Sequence, residues 1–218
     1  MLHPTRVSAL LLAFVIAGTA RSTEAQYPTP PTVSKGDVKV DRLNAEQLRV
    51  GMRKLWSDHV IWTREYIVNA VEADATAEPS LKRLMKNQED LGNAIVPYYG
   101  KDAGAKLTDL LKQHISIAGE LVTAAIAKDN SRVSDADKRW HGNARELATF
   151  LSGANPNWKK DDLVKMLDEH LTLTTKEATL RLDKKWDEDV ENFDKIFEQS
   201  MHMADALTAG IVKQFPNK

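Results

Sequence analysis

From Asn44 to Phe215 apolar side chains recur every three or four residues, the period of a helix with one face turned inward. Leu48, Met52, Leu55, Trp62 and Ile67 mark a first helix that ends within residues 72–78. Leu84, Leu91 and Ile95 mark a second, beginning around Pro79 and stopping at Pro97 and Gly100. Leu107, Leu111, Ala118, Leu121 and Ala125 carry a third up to Asp129-Asn130. A fourth starts at Ser134 and shows Trp140, Leu147 and Leu151 before Gly153. The fifth follows Asn155-Pro156 with Leu163 and Leu167; the sixth runs through Trp186, Val190, Phe193, Phe197, Met201 and Ile211. Residues 181–188 hold neither glycine nor proline, so the break between these two is the least marked.

The first helix has a start signal of its own. Asn44 can cap it, Gln47 is the reciprocal partner three residues on, and Leu43 and Leu48 are spaced as a hydrophobic staple. No stretch alternates with period two for long enough to make a strand. The expected fold class is all-α: an antiparallel bundle of about six helices over residues 41–216.

The helices repeat. Leu107, Leu111 and His114 match Leu163, Leu167 and His170, and Met52, Leu55 and His59 match them loosely. Asn87 and Asn143 stand 56 residues apart, each four residues after an arginine, Arg83 and Arg139. These spacings read as a two-helix unit of about 56 residues used more than once. They also predict heights, because residues equidistant from a turn lie level in an antiparallel pair. Midpoints at the expected turns put His59, Asn87, His114, Asn143 and His170 in one layer. A turn near Lys184 adds Glu198 to that layer, with His202 one turn beyond.

Three inward histidines near a carboxylate are a candidate site for a divalent metal, since neutral imidazole suits zinc, copper, iron or nickel. His59, His114, His170 and Glu198 are the candidate metal ligands; Asn87, Asn143 and His202 are candidate ligand-binding residues. The competing reading is a buried polar layer whose histidines bond to amides and backbone. Neither the Glu-x-x-His pairs of di-iron bundles nor the His-Glu-x-x-His of zinc proteases is present. Catalytic residues are not identifiable from spacing. The leading reading is a binding protein that holds a metal or small ligand in the histidine layer. An interaction or structural module comes next, then a metal-dependent enzyme.

Composition narrows the classes. With 30 basic and 31 acidic side chains and no basic run, the chain has no electrostatic footprint for nucleic acid. It has no cysteine, which removes disulfides and thiolate sites. Residues 1–25 read as a signal peptide: Arg6, the apolar run Val7 to Ala20, then Thr-Glu-Ala ending at Ala25. Residues 26–40, with three prolines, read as a tether. The implied location is periplasmic or secreted, without stable membrane insertion after cleavage.

Four stretches, LWSDHVIWTREYI (55–67), NQEDLGNAIVPYYG (87–100), FLSGANPNW (150–158) and GIVKQFP (210–216), resemble a family of small, functionally uncharacterised bacterial helical proteins. The resemblance covers most of residues 45–216 and implies one continuous domain; it carries no catalytic residue across. Some members bear a glycosyltransferase label. A nucleotide-sugar enzyme needs an α/β domain, which a strandless chain of this length does not provide.

Cleavage is expected after Ala25. The intact mass of the exported protein should then correspond to a chain beginning at Gln26, and a full-length, membrane-held species would refute this.

Overall fold

The computed structural model describes residues 43–216. The segments assigned to a signal peptide and a tether lie outside the described residues. Six helices follow in order: α1 (Ala45–Val71), α2 (Ala77–Tyr99), α3 (Lys101–Ile126), α4 (Asn130–Ala154), α5 (Lys160–Leu182) and α6 (Trp186–Gln214). No strand occurs among the described residues, and none of these helices is long and apolar enough to cross a membrane.

Sequential helices pack side by side around a ring that closes where α6 meets α1. The odd helices α1, α3 and α5 also touch one another through the middle. Three hairpins, α1–α2, α3–α4 and α5–α6, are thus arranged around one axis of contacts. Leu84, Leu110, Leu147, Leu171 and Ile211 are among the fully buried side chains that fill the interior. Two of the helices approach closely because both carry glycine at the contact. A Cβ on Gly92 of α2 would stand 1.9 Å from Thr108 Oγ1 and 2.6 Å from the Gly104 carbonyl of α3.

The helix starts follow local chemistry. Asn44 and Gln47 form the expected capping box, with Gln47 N donating to Asn44 Oδ1 at 2.9 Å and Asn44 N to Gln47 Oε1 at 3.1 Å. Leu43, expected to staple onto Leu48, is instead 46% exposed. Helix α4 begins four residues before Ser134, because Asp129 is the cap and accepts from Arg132 N at 3.1 Å. Pro97 does not stop α2, which continues to Tyr99. In the last turn a proline removes only one ladder bond, and burial of Tyr98 and Tyr99 offsets that loss.

The hairpin turns explain why α5 and α6 separate without glycine. Among the described residues Ala73, Lys128 and Lys184 are the non-glycine residues with positive φ, 56°, 57° and 58°, and each follows a layer histidine by fourteen residues. All three turns have one hydrogen-bond pattern. Asp74 N donates to Asn69 O, Asp129 N to Ala124 O and Lys185 N to Leu180 O, each across five residues. This is the Schellman closure, usually made with glycine at the left-handed position. At the opposite end, Asn155 donates to Tyr99 Oη at 2.9 Å, Tyr99 donates to Gln214 Oε1 at 2.9 Å, and Gln214 donates to Ala154 O at 3.1 Å. Three of the stretches that carry the family resemblance therefore meet there.

A left-handed conformation costs a β-carbon-bearing residue about 1–2 kcal/mol, and glycine gives part of that back through its freer unfolded chain. Replacing Lys184, which is exposed, with glycine should therefore stabilise the bundle by about 0.5–1 kcal/mol. Urea unfolding of Lys184→Gly against the parent measures it; a lower midpoint would contradict the turn assignment.

Candidate functional site: the histidine layer

His59, His114 and His170 lie on the central helices α1, α3 and α5 and are 3%, 3% and 4% exposed. Each pairs through Nδ1 with an amide 29 residues later on the next helix. The contacts are Gln88 Nε2 with His59 at 3.3 Å, Asn143 Oδ1 with His114 at 2.8 Å, and Gln199 Oε1 with His170 at 3.3 Å. An amide from each even helix also donates to the backbone carbonyl four residues before the histidine. Asn87 donates to Leu55 O at 2.9 Å, Asn143 to Leu110 O at 3.1 Å and Gln199 to Met166 O at 2.9 Å. The hairpins therefore share one device, a histidine–amide–carbonyl clamp.

The clamp sets the tautomer in two hairpins. The Asn143 and Gln199 nitrogens are spent on backbone carbonyls, so their oxygens must accept from His114 and His170 Nδ1–H. Nε2 of these two rings then carries a lone pair. The first hairpin differs: Gln88 Nε2 faces His59 Nδ1 and also donates to Leu84 O at 2.8 Å, while Asn87 makes the carbonyl bond.

The three histidines line one cavity of ≈ 20 Å³, together with Trp140, Thr63 and Thr174, room for about one water molecule. The His59 and His170 rings lie 5.7 Å apart, and Trp140 packs 5.2 Å from His114. The Trp140 Nε1 donor is buried without a partner. The lining thus mixes lone pairs with an N–H donor, a set that suits a small neutral group better than a cation.

Burial lowers the pKa of His59 and His114 to about 3 and of His170 to about 4. For His59 and His114 the neighbouring layer histidines push the same way, as like charges would repel. All three are therefore neutral near pH 7.

Of the expected layer, His59, His114, His170, Asn87 and Asn143 come together. Glu198 and His202 do not: both are exposed on the outer side of α6, and Gln199 occupies the level expected for Glu198. One step along a helix turns a side chain by about 100°, enough to exchange an inward for an outward position. Among the described residues, no group of three or more histidine, aspartate or glutamate side chains is arranged to hold a metal ion.

A second buried polar cluster escaped the sequence reading. Arg64 of α1 donates to Glu177 Oε1 of α5 at 2.6 Å and to Asp189 Oδ2 of α6 at 2.7 Å. Arg181 reaches Asp189 at 3.3 Å and Glu72 at 2.6 Å. Glu177 and Asp189 are 1% and 0% exposed. Burial raises the Glu177 pKa to about 7 against the pull of Arg64. Glu177 falls at helical spacing from Thr174 and His170 on the inward face, and that was the one signal available in the sequence.

The architecture defines a closed six-helix bundle of three clamped hairpins. The chain matches no protein-family model, no curated protein and no solved structure.

The two clusters give opposite pH slopes. The histidines have folded pKa values below their unfolded value of 6.5, so their contribution is present above pH 6.5 and is lost as pH falls towards 3. Glu177 has a folded pKa above its unfolded 4.5, so its contribution shrinks as pH rises from 4.5 to 7. Stability should rise with pH and level off above about pH 7, where the Glu177 loss balances the last of the histidine gain, and fall on the acid side by up to ~1.4 kcal/mol per pH unit for each histidine. Denaturant titrations at several pH values test this; His114→Gln should make the acid slope shallower, and an unchanged slope would refute the assignment.

Proposed function

We propose that this chain is an exported interaction module, a rigid helical bundle whose histidines lock its hairpins while its outer faces meet an envelope partner. The observation that carries the reading is the clamp itself. It recurs in all three hairpins and ties each even helix to its odd partner through protein groups alone. The cavity it surrounds takes about one water molecule, too little for a substrate. Meanwhile large apolar side chains stand on the outside, among them Ile61, Trp186, Val190 and Phe197.

A second reading keeps the histidine layer as a site for a divalent transition metal. It is favoured by the Nε2 lone pairs of His114 and His170, whose opposite ring nitrogens donate to an oxygen acceptor, as those of metal-bound imidazoles usually do.

Elemental analysis separates the two. Protein purified without a histidine tag should hold well under 0.1 equivalent of zinc, copper, nickel or iron. Its melting temperature should not move on chelation or on adding these ions. A stoichiometric metal whose removal lowers the melting temperature, with that sensitivity lost in His114→Gln, would replace the interaction reading with the metal one.

A further inference from the structure

The α1/α6 seam carries an apolar stripe on its outer side. Trp186, Val190, Phe193, Phe197 and Met201 follow one another on α6 at steps of three and four, so they share a face. Trp186 is 46% exposed, Val190 57% and Phe197 36%. The α1 helix runs antiparallel beside it: Arg64 packs 4.6 Å from the Phe193 ring, Ser57 Oγ lies 3.8 Å from Met201 Sδ, and Arg53 pairs with Asp205. These level pairs place Ile61, 48% exposed, beside Phe197, so the stripe extends across the seam.

Its outer edge on α6 is acidic, while the cations inside the seam, Arg64 beside Phe193 and Arg181 4.6 Å from the Trp186 ring, are already paired with Glu177, Asp189 and Glu72. Asp187, Glu191, Asp194 and Glu198 are exposed and follow the stripe's edge along α6, and exposed Glu65 lies beyond Ile61 on α1. From Trp186 to Phe197 the stripe is about 16 Å long, three helical turns. A second copy of this chain would bring one acidic border against another, and an anionic lipid surface would be repelled as well. A partner helix with an apolar face flanked by lysine or arginine matches both features.

We propose that the α1/α6 seam is a docking groove for a basic amphipathic helix of a partner protein. This rests on the interaction reading above and adds the face and the partner's chemistry. The apolar side chains of the partner cover Trp186, Val190, Phe197 and Ile61, and its cations lie over the carboxylates of α6.

The test uses the whole mature chain and two labelled, amidated 18-residue peptides with leucine on one helical face. One carries lysine on the other face, the second glutamate. Fluorescence anisotropy should show the lysine peptide binding at least tenfold more tightly than the glutamate peptide, with affinity falling as salt rises. Val190→Lys changes an exposed position, and circular dichroism checks that it is folded; it should weaken the lysine peptide at least tenfold. Equal affinity for both peptides, no binding of the lysine peptide, or no effect of Val190→Lys overturns the proposal. A concentration-dependent dimer that Val190→Lys abolishes also overturns it, in favour of a second copy. Peptide failure in metal-free protein removes only the groove, whereas stoichiometric metal removes the interaction reading itself.

Discussion

A buried amide or imidazole left without a partner costs about 1–3 kcal/mol, and this cost shapes the centre of the bundle. Three histidines enter an interior filled by leucine, alanine and tryptophan, and each needs a partner from another helix. The side chains that supply it, Gln88 or Asn87, Asn143 and Gln199, meet a backbone carbonyl in the same place each time. Apolar contacts alone would tolerate sliding by a turn. A clamp bonded to a ring and a carbonyl tolerates none, because a slide would strand several polar atoms at once. Register in all three hairpins follows from this, and so do the turns, which fall a fixed fourteen residues beyond each histidine.

The clamp also accounts for the left-handed residues. Ala73, Lys128 and Lys184 adopt a conformation that disfavours a β-carbon, yet all three Schellman closures form. Helix ends fixed by the interior leave little choice about where the chain must reverse. The turn accepts the local cost in return for keeping the layer paired. Near those turns the ionic cluster of Arg64, Glu177, Arg181 and Asp189 joins α1, α5 and α6. That join closes the ring between the first hairpin and the last, which no short connection could do.

Chemistry inside and chemistry outside are therefore separated. The three layer histidines and the amides facing them are engaged with one another, neutral in the case of the rings, and removed from solvent. The outer surface of α1 and α6 combines exposed apolar side chains with a row of carboxylates. A molecule built this way presents a stiff surface to a partner, and the cavity between its histidines holds about one water molecule. That division is the physical ground for reading the bundle as an interaction module.

The sequence alone determined much of this. Helical periodicity, the Asn44 capping box and the repeat of about 56 residues were enough for six helices, their hairpins and a level set of histidines and asparagines. Those features are local or depend only on distance along the chain, and a helix converts such distance directly into height. Azimuth is different. Glu198 and Gln199 are nearly level, but one residue of rotation decides which faces inward, and only packing against α5 fixes that rotation. The Arg64–Glu177–Asp189 cluster was invisible for a related reason: its members are 113 and 125 residues from Arg64, and nothing in their spacing says they meet. Whether three level imidazoles converge on a cation or turn to amide partners is also decided in three dimensions. There, ring orientation follows from which neighbouring helix can satisfy Nδ1.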